Sequence, residues 1–426
     1  MRRFEIPYLS QVILIVGIFV SVSLAVCVVT SQNNLLSSSS FQWTWMSSAV
    51  TPSSSSSPSS INGLRRKTKV FNVTYISPRV KKGEYVKLDE LEEGLSRARA
   101  LIKLAAAAAA QNQNQSSPYE DPEYVPHGDL YQNARVFHRS YLLMEKLFKI
   151  FVYEEGELPL FHNGPCKNIY SMEGFFINFM ETDKRFRTRD PDSAHVYFLP
   201  FSVVMILQYL FHPIIRDKYV LGRTISDYVR IISERYPYWN RSLGADHVML
   251  SCHDWGPRAT WYVPELYFNS IRVLCNANTS ERFNPRKDAS FPEINHVTGE
   301  ISGLIGGNLR FNSSILAFFA GNVHGRIRPA LLQHWKEKDE DVRVYEKLPE
   351  GIDYKEMMQK SKYCICPSGW EVASPRIVEA IYAECVPVLI SQHYILPFSD
   401  VINWDSFSIQ ITPSLWQQAL VLTELC

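Results

Sequence analysis

The chain has 426 residues, 46% of them hydrophobic and 13% aromatic, with a formal net charge of +1. That length predicts more than one domain, and the apolar fraction is ample for large globular cores. The balanced charge excludes a general polyanion binder, because there is no basic excess to release counterions from nucleic acid.

In chain order, a short tail over 1–11 carries Arg2 and Arg3 and leads into an uncharged apolar run over 12–29. About eighteen residues at ~1.5 Å each give ~27 Å, close to a bilayer core of ~30 Å. Basic residues on the short side keep that side cytoplasmic, so a signal-anchor with a lumenal body is expected. A cleaved signal peptide is the competing reading, since Ser21, Ser23 and Ala25 offer small residues for cleavage. Sequons at Asn72, Asn114, Asn240, Asn278 and Asn312 agree with a lumenal body and are candidates for N-glycosylation. Cys27 lies in the apolar run and Cys426 ends the chain, while an oxidising lumen favours disulfides among the cysteines between them. No C-x-x-C pair or His cluster has zinc-like spacing.

Residues 30–140 read as a lumenal stem. Its Ser-rich part, 31–70, cannot form a core. In VKLDELEEGLSRARALIKLAAAAAA, Leu88, Leu91, Leu95 and Ile102 recur at helical spacing. That predicts an amphipathic helix, either a spacer or a dimerising coiled coil. Compact structure is expected from near Tyr141. Short β-rich runs (KIFVY, HVYFLPF, HVMLSC, IRVLC) alternate with helical patterns such as SMEGFFINFMETD and ISDYVRIISERYPYW. After a Gly-rich seam near 295–314, a second set follows: ILAFFAG, VRVYE, YCICP and VPVLI. The alternation predicts an α/β protein with two Rossmann-like halves, 141–300 and 301–426, facing a cleft.

The stretch CPSGWEVASPRIVEAIYAECVPV carries the densest chemistry. It reads as a strand end, a loop and a short helix, with Ser374 as N-cap and Pro375 in the first turn. Ligands of open parallel sheets bind beyond the carboxyl ends of strands, where helix N–H groups suit a diphosphate. Ser368, Gly369 and Ser374 would give close approach and hydroxyls, and Arg376 a charged fork. Glu379 would hold a ribose and Glu371 the transferred sugar. In AGNVHGRIRP, Gly321 and Gly325 allow a tight turn, and Arg326 or Arg328 would bind the diphosphate. In SCHDWGP, His253 or Asp254 is the candidate general base and Trp255 a stacking surface for the acceptor. The strings Asp190-Pro191-Asp192 and Asp339-Glu340-Asp341 each precede a strand, so turn and capping roles are expected and no metal is required. Cys366 and Cys385 flank the donor loop as the expected disulfide, with Cys364 as competing partner; Cys252 with Cys275 is the second pairing. No P-loop or G-x-G-x-x-G motif occurs.

Glu371 and Glu379 match the E-x7-E pattern in the donor-binding segment of GT-B glycosyltransferases. More widely, the chain resembles the exostosin-like family 47 glycosyltransferases, in their plant branch. The segments are FHNGPCKNIYSMEGFFINFME, RTRDPDSAHVYFLPFSVVM, GADHVMLSCHDWGP, FFAGNVHGRIRP and CPSGWEVASPRIVEAIYAECVPVLISQHYILPFSDVINW, spanning about 145–410. The resemblance implies a GT-B fold, a type II Golgi membrane protein and an inverting mechanism. It implies a nucleotide-sugar donor, expected to be a UDP-sugar, and a cell-wall polysaccharide or proteoglycan acceptor. No cofactor is expected, nor any nucleic-acid partner; a dimer or hetero-complex would form through the stem. The tail ITPSLWQQALVLTELC departs from the family's continuation, so a shortened C-terminal half is expected. The rival reading is therefore a non-catalytic, membrane-tethered partner of an active transferase.

Overall fold

The computed structural model describes residues 82–110, 129–215, 217–296 and 314–414. The expected anchor, the Ser-rich stem, Asn72, Asn114, Asn312, Cys27, Cys426 and the tail beyond 414 lie outside these. Among the described residues, no helix is long and apolar enough to cross a membrane.

Helices α1 (Lys82–Ala110) and α2 (Ala134–Leu147) lead into the first sheet. Its strands are β1 (Ile150–Val152), β2 (Arg187–Thr188), β3 (Val196–Phe198), β4 (His247–Ser251), β5 (Ile271–Leu274) and β6 (Ala289–Ser290). They run parallel in the order β2-β1-β3-β4-β5-β6. Every residue of β1, β3, β4 and β5 is buried. β1 and β3 are continuous apolar runs, and β4 and β5 are so apart from His247, Ser251 and Arg272, because helices cover both faces of the sheet. Val248 and Leu250 point into one core with Phe176, Ile177 and Met180, while Met249 between them joins the other core with Ile225 and Val229. The helices are α3 (Met172–Thr182), α4 (Val203–Leu210), α5 (Tyr219–Arg235), α6 (Pro237–Ser242), α7 (Gly256–Ala259) and α8 (Pro264–Phe268).

The second sheet holds β7 (Ile315–Ala320), β8 (Val342–Tyr345), β9 (Ser361–Pro367), β10 (Val386–Ile390) and β11 (Ile409–Ile411), again all parallel, in the order β11-β10-β9-β7-β8. Helices α9 (Ile327–Trp335), α10 (Tyr354–Gln359) and α11 (Arg376–Tyr382) connect them. In both sheets the first strand lies between the second and the third. The winding therefore reverses between β1 and β3, and between β7 and β9, and a crevice opens at each reversal. Residues 394–402 return to the first half: Phe398 and Val401 enter its core, and Gln132 N donates to Val401 O at 2.8 Å.

Helix α1 is neither a free spacer nor a dimerising face along its middle. Leu95 is buried in the first core with Met144 and Phe148, Ala98 is buried as well, and Lys87 pairs with Asp190 at 3.2 Å. The two Asp strings take the expected turn roles. Asp190 accepts from Asp192 N at 3.2 Å and Ser193 Oγ at 2.6 Å, and Asp339 accepts from the N–H groups of Asp341 and Val342 at 2.7 and 2.9 Å.

The β9–β10 register corrects one disulfide. Cys364 lies opposite Pro387, just past Cys385, whereas Cys366 lies opposite Leu389. At ~3.3 Å per residue, Cys366 is out of reach along the strand. The bond is Cys364–Cys385, with Cα atoms 5.7 Å apart, and Cys366 is a buried free thiol whose pKa burial pushes up to about 12. Cys252–Cys275 forms as expected and joins the carboxyl ends of β4 and β5. At the Asn278 sequon, the side chain is buried and its Oδ1 caps a turn by accepting from Ser280 N and Oγ at 3.0 and 2.7 Å. Asn240 is exposed.

Candidate functional site

The loops leaving β7 and β9 meet at the second crevice. Gly325 has φ +72°, and a Cβ there would stand 2.0 Å from the carbonyl oxygen of Gly369. Only glycine permits that approach. A Cβ on Gly321 would lie 2.7 Å from Arg376 Nη2, and one on Gly369 would lie 3.0 Å from Arg328 Nη2. The glycines thus clear the space that two guanidiniums fill. Arg376 donates to Ala320 O at 2.8 Å and lies 4.9 Å from the Phe319 ring centre. Arg328 donates to Asn322 O at 3.3 Å and Pro367 O at 3.5 Å. Burial, and then the charge of Arg376, hold the Arg328 pKa down to about 10. The buried Nε of each arginine has no hydrogen-bond partner among the described residues. Two half-desolvated like charges with spare donors make a pocket suited to an anion. Arg326 stands apart, exposed at the cap of α9.

Ser368 Oγ is tied to Ser391 Oγ at 2.7 Å, and Gly369 N donates to Glu371 O at 3.1 Å, which fixes the loop. Ser374 is buried but is not the side-chain cap expected from sequence. Pro375 already has helical angles (φ −64°, ψ −21°), so α11 begins at Arg376, and the Ser374 carbonyl, not its hydroxyl, accepts from Ile377 N at 3.3 Å.

Both glutamates of the stretch reach toward the first half. Glu371 Oε2 accepts from Asn276 Nδ2 at 2.7 Å, and the same amide donates to Glu281 at 3.2 Å. Burial, then Glu281 and Asp254, raise the Glu371 pKa to about 7, against the Asn276 hydrogen bond. Glu379 accepts from Tyr354 Oη at 3.2 Å and Asn295 Nδ2 at 3.4 Å. Sequence reading missed both asparagines. Asn276 lies two residues past β5, so the strand-end rule that selected His253 and Asp254 also points to it.

His253 and Asp254 lie beyond β4. His253 Nδ1 accepts from Trp255 N at 3.0 Å, and its ring centre is 4.8 Å from that of Tyr170. Burial lowers its pKa, so the imidazole is neutral with one nitrogen already engaged. Asp254 Oδ1 accepts from the Tyr170 hydroxyl at 3.0 Å. Lys218 Nζ sits 4.9 Å over the Trp255 ring and Phe211 meets it edge-on, so part of the surface expected to stack on an acceptor is covered. Trp370, in the donor loop, is 76% exposed instead.

Two further glutamates were not singled out from sequence. Glu173, at the start of α3, is fully buried and accepts five hydrogen bonds. They come from Ser202 Oγ (2.6 Å), Val204 N (3.1 Å), Ser251 Oγ (2.7 Å), Cys252 N (3.0 Å) and His253 N (3.1 Å). The available signal is an acid in the first turn of an otherwise apolar helix. Glu293, just past β6, is 5% exposed, and no motif marks it.

Residues 144–424 match the exostosin GT47 domain, which is most of the globular part. A probable glycosyltransferase of Arabidopsis thaliana is 65% identical over 324 residues, covering 76% of this chain and 68% of its own length. A second from the same plant is 59% identical over 325 residues, covering 76% and 61%. A probable glucuronoxylan glucuronosyltransferase of Arabidopsis thaliana is 27% identical over 254 residues, covering 55% and 56%. The chain thus spans about two thirds of the length of the two more similar relatives. Two parallel sheets meeting at a crevice and a family match of this extent lead to one conclusion: the chain belongs to the exostosin GT47 family of glycosyltransferases.

Proposed function

We propose that the protein transfers a sugar from a UDP-sugar to a plant cell-wall polysaccharide or proteoglycan glycan, with inversion at the anomeric carbon. One observation carries this reading: Arg328 and Arg376 converge at the crevice between β7 and β9, with Glu379 one helical turn beyond Arg376. The two guanidiniums would clamp the diphosphate and neutralise the charge that develops as it leaves. They supply that charge themselves, so the reading requires no metal. Glu379, oriented by Tyr354 and Asn295, would accept from the ribose hydroxyls. Glu371, bonded to Asn276 of the first half, would hold the transferred sugar. Asp254, Tyr170 and neutral His253 line the first-half side, where the acceptor enters.

The acceptor class is supported by the relatives, one of which is named for glucuronoxylan. The location we propose, a type II Golgi membrane protein with its body in the lumen, rests on the apolar run 12–29 behind Arg2 and Arg3. Calorimetry on the full chain in detergent tests the donor site, with UDP and a panel of nucleotide sugars. The parent should bind UDP, and Glu379→Ala should weaken binding by ~10–100-fold, the value of one or two hydrogen bonds to a charged group. A folded parent that binds no nucleotide refutes the reading.

A further inference from the structure

We infer that Glu293 is a catalytic residue of the transfer proposed above, the group whose carboxylate takes the proton of the attacking acceptor hydroxyl. Its backbone is pinned at the seam between the halves. Phe291 N donates to Leu274 O at 3.0 Å, Ser171 Oγ donates to Ile294 O at 2.8 Å, and Asn168 N donates to His296 O at 2.7 Å. From this position Glu293 is within electrostatic reach of Tyr170 and Asp254 on the first half. Two residues on, Asn295 donates to Glu379 Oε1 at 3.4 Å, and on that second half Glu293 is within electrostatic reach of Arg328 of α9, Glu379 of α11 and Tyr394 beyond β10. It thus stands between the group that would clamp the leaving diphosphate and the groups that would line the acceptor side.

Glu293 differs from its neighbours in how its carboxyl is engaged. It is 5% exposed and has no hydrogen-bond partner among the described residues. Every rival in the cleft is engaged. Asp254 accepts from Tyr170, Glu371 and Glu281 from Asn276, Glu379 from Tyr354 and Asn295, and His253 Nδ1 from Trp255 N. A carboxyl at the seam that takes no hydrogen bond from the described residues is open to one from a substrate hydroxyl.

The step balances without a co-reactant. The acceptor oxygen bonds to the anomeric carbon as the bond from that carbon to the β-phosphate oxygen breaks. The electron pair leaves with UDP, where Arg328 and Arg376 face it, and the acceptor proton passes to Glu293. Burial first, then Asp254 and Glu379, raise the Glu293 pKa to about 8, against the pull of Arg328. A raised pKa strengthens the base but keeps it protonated at lower pH, and only the ionised form accepts a proton. Turnover should therefore rise with pH and level off above about 8.

The test uses the full chain in detergent with three readouts: UDP affinity, melting temperature, and UDP release from UDP-sugars. Release is followed at pH 6 to 9, with cell-wall oligosaccharides or water as acceptor. Glu293→Gln has the shape of the protonated acid and should fold as the parent does. It should lose ~10²–10⁴-fold in turnover, keep UDP affinity within about threefold, and lose the rise with pH, while Glu293→Asp should retain part of both. Glu293→Gln turning over within about threefold of the parent overturns the assignment and leaves the transferase reading standing. Loss of UDP affinity along with turnover also overturns it, because Glu293 would then support the arginine pocket. A parent that binds no UDP, or releases none from any donor, removes the transferase reading and this assignment together.

Discussion

Replacing Glu173 probes how the His253–Asp254 loop is held in place. The Glu173 carboxylate joins three elements, the start of α3, the start of α4 and the end of β4, through five hydrogen bonds. Bonds to a charged group are worth ~1.5–3 kcal/mol each, so a simple sum is ~7–15 kcal/mol. That sum overshoots, since bonds sharing one carboxylate are not additive. In Glu173→Gln, one oxygen becomes an NH2 group. It is best placed toward Ser202 and Val204, because the Ser202 hydroxyl can rotate to accept. The Val204 N–H is then stranded and the bonds to Ser251, Cys252 and His253 lose their charge, a cost of ~2–4 kcal/mol. Glu173→Ala strands all five donors and should cost ~4–6 kcal/mol, near the upper range for breaking a buried charged contact. At ~2–4 °C per kcal/mol for a domain of this size, Glu173→Gln should lower Tm by ~5–10 °C in a thermal melt. A fall of less than ~2 °C would show that the carboxylate does not join these elements.

Two further outcomes follow from the backbone and the cysteines. Gly325→Ala places a Cβ against the Gly369 carbonyl and holds alanine at φ +72°, so the loops must part. UDP affinity should fall at least ~10-fold, and unchanged affinity would separate this turn from the donor pocket. Mass spectrometry of the non-reduced protein should link Cys364 to Cys385 and Cys252 to Cys275, and thiol labelling should reach Cys366 only after unfolding. Cys364→Ser should cost ~3 kcal/mol by the loop-closure argument and Cys366→Ser far less; equal costs would contradict the pairing.

What the sequence reveals here is periodic, and what it hides depends on register. KIFVY and YCICP were readable as strands because burial on both faces leaves them continuously apolar. ISDYVRIISERYPYW was readable as a helix, although Pro237 splits it and starts a second short helix that periodicity alone does not show. The rule that ligands gather at carboxyl strand ends located both SCHDWGP and PSGWEVA. It could not choose Arg328 over Arg326, because that depends on which side of the first turn of α9 faces β9. Nor could it choose Cys364 over Cys366, which alternation places on one face and only the β9–β10 register separates. Glu293 and Asn295 carry no local pattern, and they matter because strands distant in sequence bring them to one cleft.

The two sheets share one winding order, yet the side chains at the two reversals differ. At the crevice between β1 and β3, Phe161 pairs with Phe201, and its ring lies so close to Gly156 that a Cβ there would stand 2.3 Å away. His162 beside it is held at both nitrogens, by Glu181 at 2.7 Å and the Glu155 carbonyl at 3.1 Å, and Glu181 raises its pKa. There, aromatic rings and a His–Glu pair follow the first strand. At the crevice between β7 and β9, three glycines remove side chains, and two arginines face the space with buried donors to spare. Across the seam stand carboxylates and asparagines of the first half, with Glu293 among them. Charge is thus divided across the cleft: the positive wall belongs to the second half, and the proton-accepting wall to the first. An anionic leaving group and a neutral hydroxyl nucleophile, approaching from opposite sides, need that division.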